Sequence, residues 1–93
     1  SNPRPGQIQA RVFYDPGSAM LVATIFATGA TLGAKEPRDL ADLLFAAGVR
    51  HGHVSMPDER EGDIAPAAGD KIVLNHRLNE LGQTAQRQAN YMR

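Results

Sequence analysis

Two of the chain's three histidines stand two residues apart in His51-Gly52-His53, and imidazole is the side chain best matched to proton and metal chemistry near neutral pH. On an extended strand, residues i and i+2 face the same way. Both rings could then grip a metal ion, with Asp58, Glu59 or His76 completing the ligand set. No spacing enforces that third ligand. The ordinary reading is a pair of half-exposed histidines at a strand end, so no metal is expected and His51, His53 and His76 are the positions to inspect. Ser55 would share a strand face with His53, but a nucleophile also needs a third, orienting group, and none is identifiable. No catalytic residue is therefore assigned. The acidic run Asp58 to Asp63 lacks the alternating ligand positions of a calcium loop and reads as a solvated turn. Gly29 to Lys35 is rich in glycine but lacks the Gly-Lys-Ser/Thr that cradles phosphate and magnesium, so no nucleotide cofactor is expected.

A second chemistry is charge. Arg50, Lys71 and Arg77 could meet a phosphate backbone from one side of the second half, with Phe13 or Tyr14 offering a stacking face. Composition weighs against it: ten Lys and Arg against ten Asp and Glu leave a formally neutral chain without the field that non-specific nucleic-acid binding draws on. Nucleic acid thus stands as the alternative partner class. With no cysteine, disulfides, thiolate zinc sites and cysteine nucleophiles are all excluded.

The elements that must carry these residues follow from periodicity. Ile8, Ala10, Val12 and Tyr14 alternate with Gln7, Gln9 and Arg11, the period of a half-buried strand. Asp15-Pro16-Gly17-Ser18 combines an oxygen-bearing side chain, a proline with preset φ and a glycine free to take positive φ, and so predicts a hairpin into a central strand over Met20 to Thr28. Gly29 to Ala34 reads as a small-residue connection. A helix then runs from Pro37, tolerated in a first turn, to Ala47, with Leu40, Leu43 and Leu44 facing the sheet and Gly48 ending it. Val49 to Met56 predicts a third strand and Lys71 to Asn75 a fourth, introduced by Gly69-Asp70. Leu78, Leu81, Ala85, Ala89 and Met92 keep an approximate helical spacing, which Gly82 and the Gln and Asn residues support poorly.

The expected fold class is α+β: a β-β-α-β-β sheet with one packed helix, plus a C-terminal helical segment. Ser1-Asn2 has the look of a scar left by tag cleavage, so residues 1–6 are expected to be scar and linker, 7–77 one domain and 78–93 a helical tail, the whole belonging to a larger protein. Arg38 to Leu44 is similar to the central helix, and Ala68 to Leu74 to the last strand, of β-grasp (ubiquitin-like) domains of the TGS and sulfur-carrier type. That resemblance implies a β-grasp-like sheet crossed by one helix. It does not imply sulfur transfer, because the chain ends Asn90-Tyr91-Met92-Arg93 where sulfur carriers have Gly-Gly.

The longest apolar run, Ala19 to Ala27, is about half the length of a membrane-spanning helix, and no signal peptide opens the sequence. A soluble, cytoplasmic domain that does not engage a membrane is expected. Its expected function is that of a non-catalytic interaction module, binding a protein partner or a second copy of itself through a sheet edge or the C-terminal helix. The alternatives are an accessory nucleic-acid-contacting domain of a larger enzyme, and a small metal-binding protein or enzyme using His51 and His53.

Overall fold

Alternation along the first strand sets the geometry of everything that follows. The structure, a computed structural model, describes residues 8–57 and 64–91. In β1 (Ala10–Asp15) the side chains of Ala10 and Val12 are buried, while Arg11 between them is exposed. The strand pairs antiparallel with β2 (Met20–Ile25), from Ala10 opposite Ile25 to Asp15 opposite Met20. This places Leu21, Ala23 and Ile25 on the same buried face. Phe13, which breaks the simple alternation in sequence, falls on the opposite face across from Val22.

The hairpin forms where the sequence places it, by a different backbone solution. Asp15 Oδ1 accepts the Gly17 N–H at 3.1 Å, and Oδ2 accepts the Ser18 hydroxyl at 2.9 Å. The left-handed residue is Ala19, with φ 56°, and not Gly17. A five-residue loop, from Phe26 to Ala30, joins β2 to β3 (Thr31–Ala34), and there the left-handed position is a glycine, Gly29, with φ 74°. Ile25 N–H donates to Ala30 O at 2.8 Å to close that loop. The expected connection over 29–34 is thus largely an edge strand. Gly33 suits it, since a Cβ there would lie 3.2 Å from Met20 Cε.

Helix α1 (Pro37–Ala46) begins with proline in its first turn and Asp39 near its positive end. It ends in a Schellman motif. Gly48, at φ 98°, donates its N–H to Phe45 O at 3.0 Å, and Val49 donates to Leu44 O at 2.9 Å, so carbonyls of the last turn find partners. Buried Val49 and Leu44 form the apolar contact that accompanies this motif. Leu40, Ala41 and Leu44 are buried, but Leu43 is 43% exposed and does not join the core as expected.

Beyond α1 the sequence reading needs two corrections. The strand expected over Val49 to Met56 contracts to β4 (Val54–Ser55), which pairs parallel to β1 beside Ala10 and Arg11, giving the sheet order β3-β2-β1-β4. The strand expected over Lys71 to Asn75 is helical and belongs to α2 (Ala68–Tyr91), which also runs straight through the domain boundary expected at 77/78. A strand would bury Ile72 together with Leu74. The helix buries Leu74 and Leu78, four residues apart, and leaves Ile72 68% exposed.

The architecture is α+β, a mixed four-stranded sheet with α1 packed over β2 and β3 and α2 packed against α1. One buried cluster joins Ala10, Val12, Leu21 and Ile25 of the sheet to Leu40 and Leu44 of α1 and Leu74 and Leu78 of α2. Among the described residues no helix is long and apolar enough to cross a membrane.

Candidate binding groove

Three separate segments meet at one end of the sheet. The entry to β1 (Ile8, Gln9), the exit of β2 (Ile25 to Ala27) and the loop after α1 (Ala47 to Arg50) line a groove of about 640 Å³, together with His53. Backbone hydrogen bonds hold them together. Gln9 N–H donates to His53 O at 2.7 Å, and Phe26 N–H donates to Gln9 O at 3.0 Å.

Gln9 also clamps the α1 exit loop with its side chain. Its Nε2 donates to Gly48 O at 3.3 Å and its Oε1 accepts the Arg50 N–H at 3.0 Å, so one amide satisfies both a donor and an acceptor of the loop. Arg50 lies across the helix end. Its guanidinium sits 4.0 Å from the Phe45 ring centroid, and its Nη1 donates to Phe45 O at 3.1 Å and Val49 O at 3.2 Å. A cation beside carbonyls at a helix C-terminus is stabilised by the helix dipole as well as by the aromatic face. The position of the guanidinium is therefore set by the fold. No protein family, curated protein or solved structure matches this chain.

The histidines are arranged differently from the sequence expectation. His53 N–H donates to Arg50 O at 3.1 Å and Gly52 has φ 88°, so Arg50 to His53 is a type II turn whose third position demands glycine. His51 and His53 consequently do not share a strand face. His51 is exposed, His53 is half-buried at the groove, and His76 stands on α2. Among the described residues no three His, Asp or Glu side chains gather as a metal-ligand set. Asp58 and Glu59, the other expected ligands, lie outside the described residues, as do residues 1–6, the acidic run to Asp63, and Met92. Ser55 is half-buried on β4 opposite Arg11.

The three basic candidates occupy three settings. Arg50 belongs to the groove, and Lys71 is half-buried in the first turn of α2. Arg77 ties the helices together: its Nε donates to Asp42 on α1 at 2.7 Å and its Nη1 to Glu80 at 2.6 Å. The hydrogen bond to Asp42 first, and that to Glu80 second, hold its guanidinium charged still more firmly, and the same contact pulls the Glu80 carboxyl below its ordinary value. Arg77 is thus engaged by two carboxylates.

Gln9 and Phe26 carry no motif and escape sequence reasoning. Gln9 sits on the polar side of an alternating strand, and Phe26 ends the apolar run of β2, where it is 55% exposed. An aromatic left on the surface beside a turn is the one local signal for such a wall.

Proposed function

We propose that the chain is a non-catalytic interaction module, a soluble cytoplasmic domain of a larger protein, which meets a protein partner or a second copy of itself through the distal half of α2. The observation behind this reading is that every residue from Gln83 to Ala89 is solvent-exposed, so this stretch of the helix buries no side chain in the domain's own core. At 1.5 Å per residue its 24 residues extend about 36 Å, against a longest molecular dimension of 47 Å. Gly82, Thr84, Asn90 and the glutamines give that half modest intrinsic helicity, and an isolated helix of this length is marginal in water. Packing on a partner would supply what sequence does not. The alternative of nucleic-acid contact draws less support, because Arg77 is already neutralised by Asp42 and Glu80.

Amide hydrogen exchange tests the reading. In dilute protein, residues 83–89 should exchange much faster than residues 40–44 of α1, and should slow when a partner binds. Slowing with rising protein concentration would identify the partner as a second copy. Protection in dilute protein equal to that of α1 would refute the proposal, since the helix would then need no partner.

A further inference from the structure

We propose that the groove beside Arg50 binds a small amphipathic carboxylate, an acid whose hydrocarbon body lies on the apolar floor while its carboxylate meets the guanidinium. This goes beyond the interaction surface on α2 and concerns a separate set of residues, none of them on α2.

The first argument is shape and lining. A volume of about 640 Å³ falls within the range of small-molecule sites, and Ile8, Ile25, Phe26, Ala27 and Val49 present mostly hydrocarbon. Ile25 and Val49 belong to the rigid core, being 5% and 1% exposed, so the floor is anchored. Phe26, 55% exposed, is the largest exposed side chain among them, the wall that a ligand would cover.

The second argument is the state of Arg50. Its Nη1 is occupied by Phe45 O and Val49 O and its face by the Phe45 ring, whereas Nε and Nη2 form no hydrogen bond among the described residues. Those two donors are parallel and coplanar, the fork that a carboxylate accepts through both oxygens. Because the helix end and the ring already fix the side chain, little rotamer freedom remains to be lost when an acid binds. The Gln9 clamp on Gly48 and Arg50 holds the backbone beneath it in the same way.

The third argument selects the anion. One guanidinium side chain among the lining of a mostly apolar groove, with His53 its other ionisable lining residue, complements a planar, singly charged head on a hydrocarbon body. A phosphate group would call for several converging donors.

The test is titration of the intact chain, followed by amide resonances, with three probes: 3-phenylpropionate, the uncharged 3-phenylpropionamide, and acetate. We expect 3-phenylpropionate to saturate shifts at Gln9, Ala27 and Val49 at millimolar concentration, with the amide and acetate each at least tenfold weaker. Arg50→Gln should weaken binding at least tenfold, and Arg50→Lys should also weaken it, since lysine keeps the charge but lacks the fork. Phe26→Asp, at a surface position that leaves the fold intact, should weaken it too. Equal binding of acid and amide, equal binding of acetate, unchanged affinity in Arg50→Gln, or shifts centred away from the groove would each overturn the proposal.

Discussion

Leu78→Ala and Leu43→Ala make the sharpest paired test of how the helices pack. Leu78 on α2 is fully buried, and Leu43 on α1, which a simple reading of the helical stripe places in the core, is 43% exposed. Leucine and alanine have similar helix propensities, so any loss must come from packing. Truncating a buried leucine costs about 2–5 kcal/mol, of which the cavity is a part that grows with how poorly the site collapses. Leu78 sits where α2 meets the rest of the cluster, and a helix can settle inward. The lower half of that range, about 3 kcal/mol, is therefore expected. For a domain of this size that corresponds to a fall in Tm of about 12–24 °C. Leu43 loses contacts on one side only, about 1 kcal/mol, and alanine's slightly better propensity returns part of it. Urea denaturation followed by helical circular dichroism measures both, provided the slope stays that of the parent. If Leu43→Ala proves as costly as Leu78→Ala, the orientation of α1 against α2 is wrong.

Ala19→Gly should raise the unfolding free energy by about 1 kcal/mol, and the denaturation midpoint with it, because alanine there occupies the left-handed position that glycine fills in the second hairpin; an unchanged or lowered midpoint would show that the backbone at Ala19 is not left-handed. Glu80→Gln removes a carboxylate whose folded value is depressed by Arg77. A depressed acid contributes stability above its unfolded value that disappears as pH falls through the folded one. The stability difference between parent and Glu80→Gln should accordingly shrink as pH drops below about 4.5, the ordinary value, and a difference that is flat or grows with acidification would contradict the pairing.

What the sequence discloses and what it hides divide along physical lines. The hairpin and α1 are legible because each is specified locally, by alternation, by Asp15 in the turn, by Pro37 at the start and by Gly48 at the end. Lys71 to Asn75 is misread because three consecutive apolar residues satisfy either period, and the deciding partner, Leu78, lies outside the short window. β3 is hidden because Thr31-Leu32-Gly33-Ala34 has little strand propensity and is held by its neighbour, with Gly33 making room for Met20. The His51-Gly52-His53 spacing is visible, but the positive φ of Gly52 that turns it from strand to turn is set by the bond from His53 to Arg50. The groove is least legible of all. Its walls come from residues 8–9, 25–27, 47–50 and 53, which share no motif and meet through the pairing of β1 with β2 and, in parallel, with β4, together with the Gln9 side chain.

That parallel pairing has a kinetic consequence. β1, β2 and β3 are joined by loops of four and five residues and can zip in sequence order, whereas β4 reaches β1 only by closing the chain across all of α1. Local contacts form at little entropic cost, and the long closure comes with most of it. Arg50 and His53 reach the groove with that closure, so the groove forms no earlier than the pairing of β4 with β1, which φ-values of substitutions there would check. An acid that bound only the completed groove would stabilise the native state by mass action. Were the groove still open at the barrier, that stabilisation would appear as slower unfolding with refolding unchanged, and a faster refolding rate would instead place the closure within the barrier.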